Sequence, residues 1–510
     1  MLVFKMNMMK NIKFNIIKVL AFVLLASSCN DVLDETPDNR IEALDTPEKI
    51  AELLVGAYPD AAYVPFLEPM SDNAGDKGPS ADTGIDFATT LNKRMYFWDD
   101  INDTDDDTPT NYWNRAYKAI AQANQALASI EALGGGTAYN ALKGEALLCR
   151  AYAHFMLVSI FSKAYSSATA STDMGIPYVT KPETVLLAKY ERGNVAQVYS
   201  QIQNDIETGI PLIKDEYNVP AYHFTKRAAH AFASRFYLNK GDWQKVIDHS
   251  TEALGTNALN VLRNWTTNYA PKTYSEQNYL YASSTDEPAN LLLVSASSLY
   301  NRFHYSARYQ MNSAIASKLF FGGNISGNDW SFGIYGSSDL YYNIPKFQEY
   351  FKVTNQAAGT GNAFVTYVLL STDEVLLNRA EAYAMLGQFD KATTDINWSL
   401  SVKSDNYNPA TDVLTASEIA TLYQGFPTTT YTPFYGIPGA SLPFVAAILD
   451  IKQTIFYNDG LRWFDIKRHN VELTHTDILG NSYKLPKNDN RRQVQIPESA
   501  QSFGIPQNPR

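Results

Sequence analysis

At 510 residues, with 45% hydrophobic and 19% charged side chains, the chain has ordinary globular composition and enough length for a large core, roughly two to four domains by size alone. The formal net charge is −11, and residues 1–28 hold four lysines and no acid, so the rest of the chain carries −15. Such acidity argues against binding nucleic acid by neutralising phosphates and favours solubility.

Residues 1–28 read as an export signal, with Lys5, Lys10, Lys13 and Lys18 ahead of an apolar run from Val19 to Ala26 and the small pair Ser27-Ser28. Cys29 follows at once. Leu25-Ala26-Ser27-Ser28-Cys29 is similar to a bacterial lipoprotein box, although Ala26 stands where leucine is usual, and it makes Cys29 the lipidation site; simple cleavage is the alternative. Cys149, the other cysteine, reads as a small buried hydrophobe on a helix. Residues 29–45 are acidic and contain Pro37, as a tether would be, and 46–510 form the folded domain.

Pro47 suits the first position of a short helix. The stretch 69–107 shows no sustained helical period and reads as long ordered loops, which in a compact protein are more often functional than idle. Thr108-Pro109 opens a helix over 112–133, Gly134-Gly135-Gly136 breaks it, and a second helix covers 139–161. Further helical segments cover 194–213 and 225–254. Within the latter, Tyr237, Gly241, Trp243 and Val246 have the same spacing as Tyr383, Gly387, Phe389 and Ala392. The second set lies in the most strongly patterned stretch, 370–392. There Ser371 and Glu374 form an expected capping box, Leu370 and Val375 a hydrophobic staple, and Gly387 the turn into another helix. This is the grammar of tetratricopeptide repeats, interrupted by an insertion over about 256–364 that is rich in Tyr, Trp, Phe, Asn, Ser and Gly. A second irregular stretch, 407–443, precedes a helix near 445–456, and 483–510 reads as extended and polar.

The chemistry that would mark an enzyme is missing from these motifs. Gly439-Ala440-Ser441-Leu442-Pro443 fails as a nucleophile elbow at its last position. The seven histidines have no metal-ligand spacing, so no metal or cofactor is expected. The acidic run 99–107 fails as a calcium loop, because from Asp103 the sixth position is Thr108 and the twelfth is Asn114. Acids ahead of a helix start are favoured by its dipole. Aromatic loops remain. Tyr and Trp offer flat apolar faces suited to a sugar ring, with Asn, Asp, Gln or Arg for its hydroxyls, although any single tyrosine is more often core.

Taken together, several stretches resemble the SusD/RagB family of outer-membrane nutrient-binding lipoproteins. They are Cys29-Asn30-Asp31 through Glu35; Tyr112-Trp113; Glu145-Ala146 with Arg150-Ala151-Tyr152; Gly241-Asp242-Trp243; Glu374 through Tyr383; Gly460-Leu461-Arg462-Trp463-Phe464-Asp465; and Gln507-Asn508-Pro509. Where the family often has a Glu-Arg-rich stretch before that glycine, this chain has 452–459 with little such character. The resemblance implies an all-α fold of tetratricopeptide-like helix pairs with large loop insertions. It also implies a non-enzymatic, lipid-anchored protein on the cell surface that captures oligosaccharides and delivers them to a SusC-like TonB-dependent outer-membrane transporter. Peptide capture, a surface glycan hydrolase and a helical-repeat assembly scaffold are the alternatives. The Arg462-Trp463-Phe464-Asp465 and Asn378-Arg379 motifs are expected to hold structure, with Arg379 and Glu381 finding partners elsewhere than each other. Ligand contacts are expected from Asp72, Asp76, Tyr96 and Trp98 in the first loop region and from Trp330 and Tyr335 in the insertion.

Overall fold

Helix α1 (Pro47–Val55) opens the folded domain and packs on the first helix pair. The computed structural model describes residues 44–510 apart from 186–187, 337 and 339, so the signal, Cys29 and nearly all of the tether lie outside the described residues. The stretch read as loops contains one helix, α2 (Asp86–Tyr96). Its apolar positions Leu91 and Met95 are four apart, and Ala88 completes a single buried face. That face is too narrow to stand out among the surrounding glycines and aspartates.

Side chains set the helix starts. Thr108 accepts the Asn111 N–H, with Pro109 at the first position, to open α3 (Pro109–Ala132). Gly134, Gly135 and Gly136 all have positive φ, and the chain turns there into α4 (Asn140–Phe161), which packs along α3. Asn194 and Gln197 close a complete capping box on α5 (Val195–Gly209). The segment 225–254 is two helices, α6 (Lys226–Lys240) and α7 (Trp243–Leu254). Among the described residues one helical stretch, Thr137–Phe161, is long and apolar enough to cross a membrane, and its most apolar 18-residue window is buried inside the fold.

The four-position match between 237–246 and 383–392 is one turn built twice. Gly241 and Gly387 are left-handed at φ 77° and 70°. In both turns the N–H after the glycine bonds back five residues, Asp242 to Tyr237 O at 3.0 Å and Gln388 to Tyr383 O at 2.8 Å. The second turn joins α8 (Thr372–Met385) to α9 (Phe389–Ser401). At the start of α8 only half of the expected box forms. Ser371 accepts the Glu374 N–H at 3.4 Å, but both oxygens of Glu374 accept from Arg235 on α6, at 2.6 and 2.5 Å. A buried charge pair outcompetes the local cap, and it ties two helix pairs together. Helix α8 also packs on α7 and on α10 (Leu442–Ile455), and α11 (Leu461–Arg468) follows.

The insertion holds more strand than its composition suggests. A three-stranded antiparallel sheet has the order β2 (Asn290–Ser297), β5 (Thr360–Ser371), β4 (Glu349–Asn355), and β5 runs straight into α8. Two short antiparallel pairs complete the strands. They are β1 (Gly75–Asp76) with β3 (Tyr309–Gln310), and β6 (Leu473–Thr476) with β7 (Ser482–Leu485), the latter at the start of the stretch read as extended. The insertion's aromatics are mostly core. Trp265 stacks on Tyr269 at 4.4 Å, and with Tyr281, Phe332 and Tyr457 they pack against apolar residues of α8, α9 and α10.

One buried acid couples this architecture to pH. Asp107, φ 69° and 1% exposed, accepts the Leu299 N–H at 3.0 Å through one oxygen, while the other has no partner among the described residues. Burial pushes its carboxyl up to about 7. A raised carboxyl favours the protonated native state, so its contribution is full below about pH 4 and is lost as pH rises through 7. Asp107→Asn is therefore expected to stabilise the fold by about 2 kcal/mol at pH 8 and by little at pH 4, read by denaturant unfolding at both values. A gain independent of pH would contradict the assignment.

Candidate functional site

Asp72 sits on the loop after the short helix Val64–Leu67 and forms a two-point pair with Arg462 on α11, at 2.7 and 2.8 Å. The Asp72 side chain keeps 28% exposure, and although burial opposes it, the guanidinium holds its carboxyl down at about 2. It is therefore an anion at any physiological pH. Lys318 from the insertion and Asp450 on α10 share its electrostatic field, and both are exposed. Asp450 accepts the Tyr423 hydroxyl at 2.8 Å, and although the residue is exposed, crowding of its carboxyl by neighbouring protein pushes it up. Lys318 donates to Gln453 at 3.2 Å, Gln453 donates to Asn73 at 3.0 Å, and Asn73 donates to Glu68 at 2.8 Å. A relay of side chains thus leads from the surface to the buried Glu68, which also accepts the backbone N–H of Asn458 and Gly460 at 2.8 and 3.1 Å. Burial is the main reason the Glu68 carboxyl is pushed up to about 7. Phe321, three residues beyond Lys318, is 53% exposed and meets Tyr342 edge-on at 5.8 Å.

This face has acceptors, donors and aromatic surface, which is what recognition of a hydroxyl-rich ligand requires. Among the described residues no group of three or more His, Cys, Asp or Glu could hold a metal ion.

Asp76, Tyr96 and Trp98 lie elsewhere, within the framework. Trp98, His475, Tyr96 and Tyr309 form one continuous stack, with ring centroids 4.3, 4.1 and 4.3 Å apart along it. Tyr96 is 1% and Trp98 3% exposed, and the Trp98 indole N–H donates to Met70 O at 2.9 Å. Neither ring offers a free face to a ligand in this arrangement. The two nitrogens of His475 lie 2.7 Å from Tyr96 O and 3.0 Å from Ser71 O, and because burial holds its pKa below the ordinary histidine value the neutral ring donates to one of these carbonyls at a time. Asp76 pairs with Arg308 at 2.6 and 2.8 Å and accepts the Gly78 and Ile478 N–H groups, which pins the turn after β6 onto the first loop region. Trp330 and Tyr335 are half-buried. Trp330 contacts Phe332 at 5.7 Å, while Tyr335 meets Tyr274 at 4.9 Å and its hydroxyl accepts from Gln277 at 3.3 Å. Asp72 is thus the sequence-named residue at the polar face. Its neighbours Lys318, Tyr423 and Asp450 had no motif to reveal them, and only the Arg462-Trp463-Phe464-Asp465 block pointed near.

The two structural motifs behave as expected. Arg379 pairs with Asp395 at 2.9 and 2.8 Å, Glu381 accepts from Arg468, and Asn378 accepts from Lys452 at 3.2 Å.

The helix pairs, with the polar and aromatic loops packed on them, define a tetratricopeptide-like helical scaffold. Residues 31–238 match the SusD-like family described as starch-binding and associating with the outer membrane. Solved structures similar to it over most of its length include a SusD superfamily protein from Bacteroides thetaiotaomicron VPI-5482, at 18% identity and TM-score 0.63, covering 91% of this chain and 99% of that one. A SusD-like carbohydrate binding protein from Bacteroides vulgatus ATCC 8482 matches at 16% identity and TM-score 0.60, covering 89% and 96%. A laminarin binding SusD-like protein matches at 16% identity and TM-score 0.53, covering 91% and 99%. No curated protein matches the chain in sequence.

Proposed function

We propose that this protein is a cell-surface glycan receptor, lipid-anchored to the outer membrane through Cys29. It captures oligosaccharides and passes them to a SusC-like TonB-dependent transporter, and it performs no catalysis. The observation that carries this reading is the match of residues 31–238 to a starch-binding, outer-membrane-associating family, joined to the fold shared with a laminarin binding protein. Glycan binding is proposed at the face of Asp72, Lys318, Asp450 and Tyr423, with the half-buried Trp330 and Tyr335 supplying further aromatic edges. Asp76, Tyr96 and Trp98 support that face from within. A sugar ring would lie against aromatic surface while the ionised Asp72 accepts from its hydroxyls.

One feature favours a second reading. Asp72 is held ionised by Arg462 while the Asp450 carboxyl is shifted upward, and glycoside hydrolysis uses two carboxylates whose environments shift them in opposite directions. One experiment separates the two. Purified protein is incubated with β-glucan and α-glucan oligosaccharides, and both binding and released sugar are measured. Binding without product, weakened about tenfold or more by Asp72→Asn, is expected; released sugar would end the receptor reading. Expressed with Cys29→Ala, the protein is expected to leave the membrane fraction, and unchanged membrane association would refute the anchor.

A further inference from the structure

Two clefts flank the segment 177–184, one of about 850 Å³ and one of about 220 Å³, and Lys181 lines both. The segment is fixed at four successive residues. The Tyr117 hydroxyl donates to Pro177 O at 2.9 Å, the Tyr178 hydroxyl to Asp205 at 2.6 Å, Asn124 to Val179 O at 3.0 Å and Arg150 to Thr180 O at 3.4 Å. The charge of Arg150 is matched behind the segment by Asp205, at 2.7 and 2.8 Å. Lys181 projects from this rigid strip into solvent. Lys143 lines the larger cleft from α4, and both lysines are exposed and free of carboxylate partners among the described residues. Glu131 is the one carboxylate that lines that cleft. In a chain of net charge −11, this is a local surplus of positive charge.

The smaller slot has a different character. Its walls include the rings of Trp113, Tyr117, Tyr190 and Phe503. The two tyrosine hydroxyls are already donating, to Pro177 O and to Glu183 at 2.5 Å, and although Asn114, Glu183 and Ser499 also line the slot, its aromatic walls suit an apolar group. One lysine thus serves a cationic cleft on one side and an apolar slot on the other. The matching ligand carries a carboxylate and an apolar group a few ångströms apart, and the end of a polypeptide has this form, with both on its last Cα.

We propose that the clefts meeting at Lys181 form a docking site for a polypeptide C-terminus, its carboxylate between Lys143 and Lys181 and its final apolar side chain in the slot of Trp113, Tyr117, Tyr190 and Phe503. The site uses residues separate from the proposed glycan face and stands whether or not that reading holds.

The test uses the purified full chain and two acetylated tetrapeptides of sequence Gly-Ser-Ala-Phe, one a free acid and one a C-terminal amide, titrated by calorimetry at low salt. The free acid is expected to bind at least about tenfold more tightly than the amide, and Lys181→Glu is expected to lose at least that factor. Because Lys181 is exposed, its variant should keep the wild-type circular dichroism and melting temperature. Ala121→Phe, which fills the slot from α3, is expected to weaken the peptide ending in Phe more than one ending in Ala. Equal binding of acid and amide, binding by neither at about millimolar concentration, or indifference to Lys181→Glu would each overturn the proposal. So would displacement of the peptide by glucuronate, which would make this an acidic-sugar site.

Discussion

Arg468→Ala is expected to lower the unfolding free energy by about 3–5 kcal/mol, a large share of a domain's total. Arg468 is 5% exposed and donates from both terminal nitrogens to Glu381, which is fully buried. It also donates to Asp465 at 2.8 Å and to the Tyr435 hydroxyl at 2.9 Å. Removing the guanidinium strands Glu381, while Asp465 keeps Lys452 at 3.5 Å. His469 is 3.4 Å from Glu381, but burial, the largest cause that lowers its pKa, persists in the variant and makes it a poor replacement cation. The cost comes mostly from the unpaired Glu381 rather than from the worth of the pair, which gives the internal control. Glu381→Gln added to Arg468→Ala should recover part of the loss, since a neutral amide is cheaper to bury than a lone carboxylate. Denaturant unfolding of both variants checks this. A loss under about 1 kcal/mol, or a double variant no better than the single, would show that the network is solvated in solution.

Trp98→Ala is expected to cost about 3–5 kcal/mol and Trp330→Ala clearly less. Trp98 contributes a ring to the stack with His475 and one hydrogen bond to Met70 O, both buried, so truncation opens a cavity and leaves a carbonyl unpaired. Its left-handed backbone, φ 55°, gives alanine no relief. Trp330 is only half-buried. Glycan affinity measured on each folded variant at low temperature separates stability from contact. Equal melting temperatures for wild type and Trp98→Ala would put that indole outside the core.

The two tryptophans also indicate how far sequence reading reaches. Repeat scaffold was legible because its determinants are local: Gly241 and Gly387 need φ above zero, and each answers a tyrosine four residues before it. Thr108, Pro109 and Asn194 fix their helix starts by the same short-range chemistry. The Ser371 box was half right because the side chain of Glu374 is claimed by Arg235, 139 residues away, and no local pattern carries that claim. Strand β5 escaped notice because it flows into α8 with no turn residue between them. The binding face is legible least of all. Asp72 meets Arg462 across 390 residues, and whether an aromatic ring faces inward is decided by partners such as His475 that lie as far away.

That reach in sequence sets an order of assembly. Glu68 closes on Asn458 and Gly460, and His475 on Ser71, across separations of 390 to 404 residues. The helix pairs can form from neighbouring segments, and β1 can pair with β3 once the insertion is present, but the partners of Glu68, Ser71 and Trp98 wait for the chain beyond residue 458. Loops of that length close slowly. In a polypeptide exported from its N-terminal end, the rings of Tyr96 and Trp98 would emerge long before their partner and stay exposed in the interval. A late step of folding is then the one that completes the proposed glycan face, and a chaperone that shields aromatic surface would act on this segment first.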